Sequence, residues 1–207
     1  MKKVLLLLCC IILLSLGTGC SEKELLDVDD QIINAETADF FEEVGLIADW
    51  PSYENLSELV AQSENIVIGY VNQKLPYIEL DISNGQGRMD TFTPFEVSVS
   101  QSLKGSINAN ESITIIQKGG MTPDGKVFYF IENMPLLEVG KTYLLYLTDS
   151  DKDGNYGLYP PSVGYIAIED QVLKFRDDQV NLFDEQNVSI ANASKSIMNV
   201  GSDLLIK

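Results

Sequence analysis

Three carboxylates on alternate residues are the first chemistry the chain offers. In "LTDSDKDGNYGLYP", Asp149, Asp151 and Asp153, followed by Gly154, make the D-x-D-x-D-G spacing that opens a calcium loop. Side chains so spaced converge on one hard cation, and the glycine permits the sharp turn. The twelfth position, where an EF-hand places a bidentate glutamate, is Pro160, and no helical pattern flanks the segment. Two readings stay open, a weak calcium site and an acidic hairpin between "TYLLYL" and "YGLYP"; no other cofactor is expected. "GGMTPDGKV" puts Gly120, Gly125 and Lys126 at the spacing of a phosphate-binding loop. The next residue is Val127 rather than Ser or Thr, and "VFYF" reads as a strand where a helix N-terminus should meet phosphate, so nucleotide binding is not expected. The 207 residues include no histidine, which removes the usual zinc sites and the Ser-His-Asp and Cys-His nucleophile arrangements. Catalysis, if any, falls to carboxylates, Lys, Tyr, Ser or Thr.

Glu79, Asp81, Glu96, Glu132 and Glu169 all alternate onto wet strand faces. Any two could serve as an acid and base pair on a glycan, and each could equally be solvated surface. Tyr143, Tyr146, Tyr156, Tyr159 and Tyr165 lie in or beside the later strands. They read either as a sugar-binding aromatic face or as core and cross-strand pairs.

The chain begins Met1-Lys2-Lys3 and then "VLLLLCCIILLSL", a basic end before 13 mostly apolar residues, which is the layout of a secretory signal. A membrane-crossing helix needs about 20 apolar residues. Gly17-Thr18-Gly19 then lead to Cys20, and this junction resembles the lipobox of bacterial lipoproteins, although Leu16 lies four positions before the cysteine and Gly17 stands where leucine is preferred. The resemblance implies removal of residues 1–19, acylation of Cys20 on sulfur, and a lipid-anchored protein on the extracytoplasmic face of the cell membrane, or in the outer membrane where one exists. The alternatives are ordinary cleavage that leaves a free thiol, and a buried structural cysteine. Each buried methylene of an acyl chain adds about 0.8 kcal/mol, and two or more chains anchor stably.

Removing residues 1–19 takes 207 residues to 188 and, with Lys2 and Lys3 gone, a net charge of −17 to −19. Cys20 is then the only cysteine, so no disulfide can form within one chain. The acidity argues against nucleic acid, which is bound through Lys and Arg, and against anionic lipid headgroups. Cations, basic proteins, neutral glycans and small solutes remain as partners.

Residues 20–50 carry ten acidic residues against one lysine from Ser21 to Trp50. They read as an acidic tether, with a weak helix around Thr37–Val44 and with Trp50 either free or packed on the domain. A flexible segment of that length spans on the order of 30 Å. In "YENLSELVAQSEN" Leu56, Leu59, Val60 and Ser63 share one helical face. From there the pattern is β. Phe95, Val97 and Val99 alternate with Glu96, Ser98 and Ser100, as in a strand with one wet face. "IVIGYV" and "TYLLYL" are apolar on both sides and should be central. Asn84-Gly85, Lys104-Gly105, Pro123-Asp124-Gly125, Asp153-Gly154 and Glu169-Asp170 supply turns. About nine strands make one mainly β domain over 51–185, a small barrel or sandwich with one N-terminal helix. The tail 186–207 leaves a C-terminal helix as an open alternative.

The order "ELVAQSENIVIGYV … TPFEVSVSQSLKGS … SITIIQKGG … PLLEVGKTYLLYLT" is similar to exported bacterial proteins and resembles the netrin-like domain, an OB-type barrel shared with tissue inhibitors of metalloproteinases. The resemblance implies a barrel over about Leu56 to Phe175. The inhibitors' mechanism does not carry over: that family is rich in disulfides and binds the protease zinc through a free N-terminal cysteine, whereas this domain has no cysteine and an acylated Cys20 would be remote. The expectation is therefore an anchored module that binds an envelope protein or glycan. The alternatives are a carboxylate enzyme acting on an envelope glycan, or an inhibitor-like module.

Overall fold

Two strands rich in Val, Ile, Leu and Tyr organise the molecule. A computed structural model of the chain describes residues 41–46, 53, 55–83, 85–131, 134–160, 163–176, 179, 182–183 and 188–205. In chain order the elements are β1 (Glu42–Leu46), α1 (Leu56–Gln62), β2 (Asn65–Lys74), β3 (Ile78–Asp81), β4 (Met89–Lys104), β5 (Ser112–Lys118) and β6 (Gly120–Met121). There follow β7 (Val127–Ile131), β8 (Thr142–Ser150), β9 (Asn155–Leu158), β10 (Tyr165–Glu169), β11 (Val172–Lys174) and α2 (Ile190–Leu205). The chain is mainly β, as its alternation predicts, and α2 settles the tail as a C-terminal helix.

The large sheet closes on itself. β2 pairs antiparallel with β4 and β8, β4 antiparallel with β5, β5 parallel with β9, and β9 antiparallel with β8. That ring of five strands, with one parallel seam, is a barrel of the OB type. β10 and β11 extend it beside β8, and β3 pairs with β4. Closure needs coiled strands. β2 supplies coiling through register shifts against β4 between Ile66 and Val67, Ile68 and Gly69, and Val71 and Gln73. Gly69 permits the crossing, because a Cβ there would overlap Val97 and press on Leu145.

Because β2 and β8 are apolar on both faces, each serves two cores. Val67, Val71, Leu145 and Leu147 point into the barrel with Phe95, Val97, Ile113 and Ile115. Ile66, Ile68, Leu144 and Tyr146 point outward and are covered by Leu56, Leu59 and Val60 of α1 and Ala193 and Ile197 of α2. α1 starts at Asn55, whose side chain accepts from the Glu58 backbone N–H at 3.0 Å. Beyond its C-terminus the Lys104 ammonium donates to the carbonyls of Val60 at 2.7 Å and Ser63 at 2.6 Å. Partial burial lowers the pKa of that ammonium, and nearby Glu64 opposes the shift.

The stretch expected as a tether contributes structure. Glu42–Leu46 is a strand, where a tether with a weak helix was expected, and it runs parallel to β7 in a small sheet with β6. Val44 and Leu46 are half-buried, which gives this end of an acidic segment a reason to order. Cys20, Trp50, Asn84 and Glu132 lie outside the described residues. Among the described residues no helix is long and apolar enough to cross a membrane.

Candidate functional site

The acidic hairpin does not gather its carboxylates. Asp151 turns back on its own loop, accepting from the N–H groups of Asp153 at 2.9 Å and Asn155 at 2.8 Å and from the Asn155 side-chain amide at 3.1 Å. Slight burial raises its pKa, but these bonds and one from Gly154 outweigh it and leave the carboxyl below its ordinary value. Among the described residues no three His, Cys, Asp or Glu side chains are placed to hold a metal. Asp149, Asp151 and Asp153 lie in and beside the turn of the antiparallel β8–β9 hairpin. Gly120, Gly125 and Lys126 likewise belong to the β6–β7 hairpin, where Asp124 accepts from the Thr122 hydroxyl at 2.7 Å and the Lys126 N–H at 3.2 Å.

The tyrosines make no exposed face. Tyr143, Tyr146 and Tyr165 are buried, and Tyr156 and Tyr159 are half-buried. The Tyr165 hydroxyl donates to the Pro135 carbonyl, and the Tyr143 and Tyr165 rings meet edge to face at 5.7 Å. Tyr53 donates to Tyr159 at 3.2 Å; burial and this contact push its pKa up to about 12. The candidate carboxylates also separate. Asp81 caps a turn through Ser83 and Gly87, Glu96 takes the amides of Asn72 and Gln73, and Glu169 is exposed at the end of β10. Glu79 lines a cavity.

That cavity leads to a pair the sequence hides. Asp90 on β4 and Lys118 on β5 form an ion pair at 2.5 Å, their side chains 20% and 25% exposed. Two cavities share the pair as a common wall. One, of about 270 Å³, is lined on its apolar side by Ile82, Phe92, Ile116 and Gly157. The other, of about 160 Å³, is lined by Glu79, Thr91, Thr122 and Tyr129, with Leu46 of β1 at its edge. Local pairing explains the arrangement. Phe92 stands opposite Lys118 and Pro94 opposite Ile116 in the β4–β5 register, so Asp90, Phe92, Ile116 and Lys118 share the outer face, while Phe95, Val97 and Ile115 fill the interior.

The frame behind this face is fixed by buried polar contacts. The Gln117 side chain donates to the Pro135 carbonyl at 2.9 Å and accepts from the Leu137 N–H at 2.9 Å. The Thr93 hydroxyl donates to the Gly119 carbonyl at 2.7 Å. Chemically, the face offers an apolar and aromatic pit beside a fixed ammonium and carboxylate. It can hold the C–H face of a ring while donating to and accepting from its polar edge. All four residues, Asp90, Phe92, Ile116 and Lys118, escape a reading based on single segments, because their proximity is set by strand register; only the alternation around Phe95 points to an outward Phe92.

The closed ring of strands defines the class of protein as a small OB-type β-barrel with a helical layer on one side. Neither protein-family models nor curated protein sequences yield a match, so the class stands on strand order and direction.

Proposed function

We propose that the protein is a lipid-anchored, extracytoplasmic binding module whose ligand is a neutral, hydroxyl-rich chain such as an envelope glycan, held over the outer face of β4, β5 and β9. The observation that carries this reading is the Asp90–Lys118 pair set between an apolar and a polar cavity. In OB-type barrels the face of the second and third strands is the customary place for oligosaccharides and oligonucleotides, and here those strands are β4 and β5. A net charge of −17 on the whole chain disfavours the polyanion and leaves the neutral glycan. The netrin-like resemblance belongs to the same reading, supported by a helix leading into the first barrel strand and by Lys104 of Leu-Lys-Gly closing that helix.

The anchor rests on the lipobox-like junction before Cys20. Cys20→Ser should release the protein from the membrane fraction of labelled cells, whereas fractionation unchanged by the substitution would refute acylation there. For the ligand, electrophoresis of the protein through gels containing neutral polysaccharides should show retardation by at least one of them, lost in Phe92→Ala. Uniform mobility in all gels would refute the glycan reading.

A further inference from the structure

A groove of about 660 Å³ runs between α1 and α2 and shares no lining residue with the Asp90–Lys118 centre. Its volume falls within the ~300–1,000 Å³ of small-molecule clefts, with room for a short oligosaccharide. Asn192, Lys195, Ser196 and Asn199 line one wall, spaced so that one side of α2 carries all four. Among the described residues none of these side chains has a hydrogen-bond partner. Asn55, the cap of α1, and Ser57 face them; the Asn55 capping bond uses Oδ1, and among the described residues its amide N–H groups have no acceptor. Leu56, Leu182 and Val188 supply a buried apolar floor. The chain holds 31 acidic residues against 14 basic, yet among the described residues that line the groove none is acidic and the one charged group is an ammonium.

We infer that this groove binds a hydroxyl-rich ligand bearing a single carboxylate, of the class of an acidic amino sugar. Side-chain amides both donate and accept, which suits hydroxyl and acetamido groups. The floor takes the C–H face of a ring. Lys195 takes the carboxylate through a charge-assisted bond, the kind roughly twice as strong as its neutral counterpart. One ammonium balances one carboxylate, and the chain's overall charge repels a ligand carrying many. The inference goes beyond the barrel-face reading and stands without it.

The test is a titration of the full chain at low salt with N-acetylmuramic acid and, separately, N-acetylglucosamine, followed by backbone amide shifts. The two sugars differ only in the lactyl ether that carries the carboxylate. The acid should bind at least about fivefold more tightly, shifting residues of α1 and α2. Lys195→Gln should make the two sugars equal, and Asn199→Ala should weaken both by a similar factor. Both positions are exposed, and matching circular dichroism spectra will show that the variants fold. Equal affinities in the unaltered chain, a preference that survives Lys195→Gln, or no response to either sugar would overturn the inference. Shifts confined to Phe92, Ile116 and Lys118 would also overturn it, while leaving the barrel-face reading standing.

Discussion

Asp151 and Asp90 are both aspartates beside barrel strands, and their carboxylates do opposite work. Asp151 is exposed and spends its oxygens on the N–H groups of its own turn, as Asp81 and Asp124 do on theirs. Asp90 is mostly buried and meets an ammonium 28 residues away on the next strand, at the junction of two cavities. Short-range carboxylates hold hairpins together, while the carboxylate that faces ligand-sized space is held by tertiary structure. The conspicuous acidic run thus closes a turn, and the inconspicuous aspartate faces two cavities.

Substitutions can break this contrast, and Lys118→Met should act most strongly. It leaves the Asp90 carboxylate partly desolvated without its partner, and about 2 kcal/mol of stability should be lost, less than the 3–5 kcal/mol of a fully buried pair. Urea unfolding measures this, and Asp90→Asn combined with Lys118→Met should recover part of it. If the single variant unfolds at the original urea concentration, the pair is not the structural centre described here. Asp151→Ala should cost less, about 1 kcal/mol, through loss of turn hydrogen bonds without exposure of any core surface. A larger loss than that of Lys118→Met would reverse the contrast.

The pH dependence sharpens the same point. Hydrogen bonds from Ser83 hold the Asp81 carboxyl below its ordinary value of 3.8, the Thr122 hydroxyl does the same for Asp124, and Asp151 is lowered despite slight burial. A carboxyl whose folded pKa is depressed contributes stability that is fully present above its unfolded value and is lost as pH falls through the folded one. The three hairpins should therefore hold down to about pH 4 and loosen below it. Titration of the carboxyl carbons by NMR should place all three midpoints below 3.8; midpoints at or above it would contradict the turn geometry. The smallest effects belong to Asp149→Asn and Asp153→Asn, each within about 0.5 kcal/mol. Millimolar calcium should leave the unfolding midpoint of the unaltered chain unmoved, and a rise abolished by either substitution would restore the metal reading.

Much of the fold was legible because its signals are local or periodic. The two-sided apolar strands "IVIGYV" and "TYLLYL" became β2 and β8, each shared by two cores. Leu56, Leu59 and Val60 became the buried face of α1. The Lys104-Gly105 turn also has a structural role: Lys104 donates to carbonyls at the end of α1, and Gly105, at φ 93°, stands where a Cβ would strike Asn65. Gly140, at φ 86°, turns the chain into β8. Less legible were β1, whose acidic composition masks the half-buried Val44 and Leu46, and the outer face of β4 and β5, which exists only once the two strands are in register. The tyrosines left two readings open for a related reason. Alternation says which side of a strand a ring takes, but not whether that side is the barrel interior, as for Tyr143 and Tyr165, or the layer beneath the helices, as for Tyr146.

Methyl spectra of the full chain, recorded while a neutral oligosaccharide retained in the gel assay is added, test the central claim most directly. Ile82 and Ile116 should shift first and together, with Lys118→Met weakening the response at least about tenfold, the equivalent of 1.4 kcal/mol. Shifts that spare Ile116, or an affinity indifferent to both Phe92→Ala and Lys118→Met, would contradict the assignment of this face.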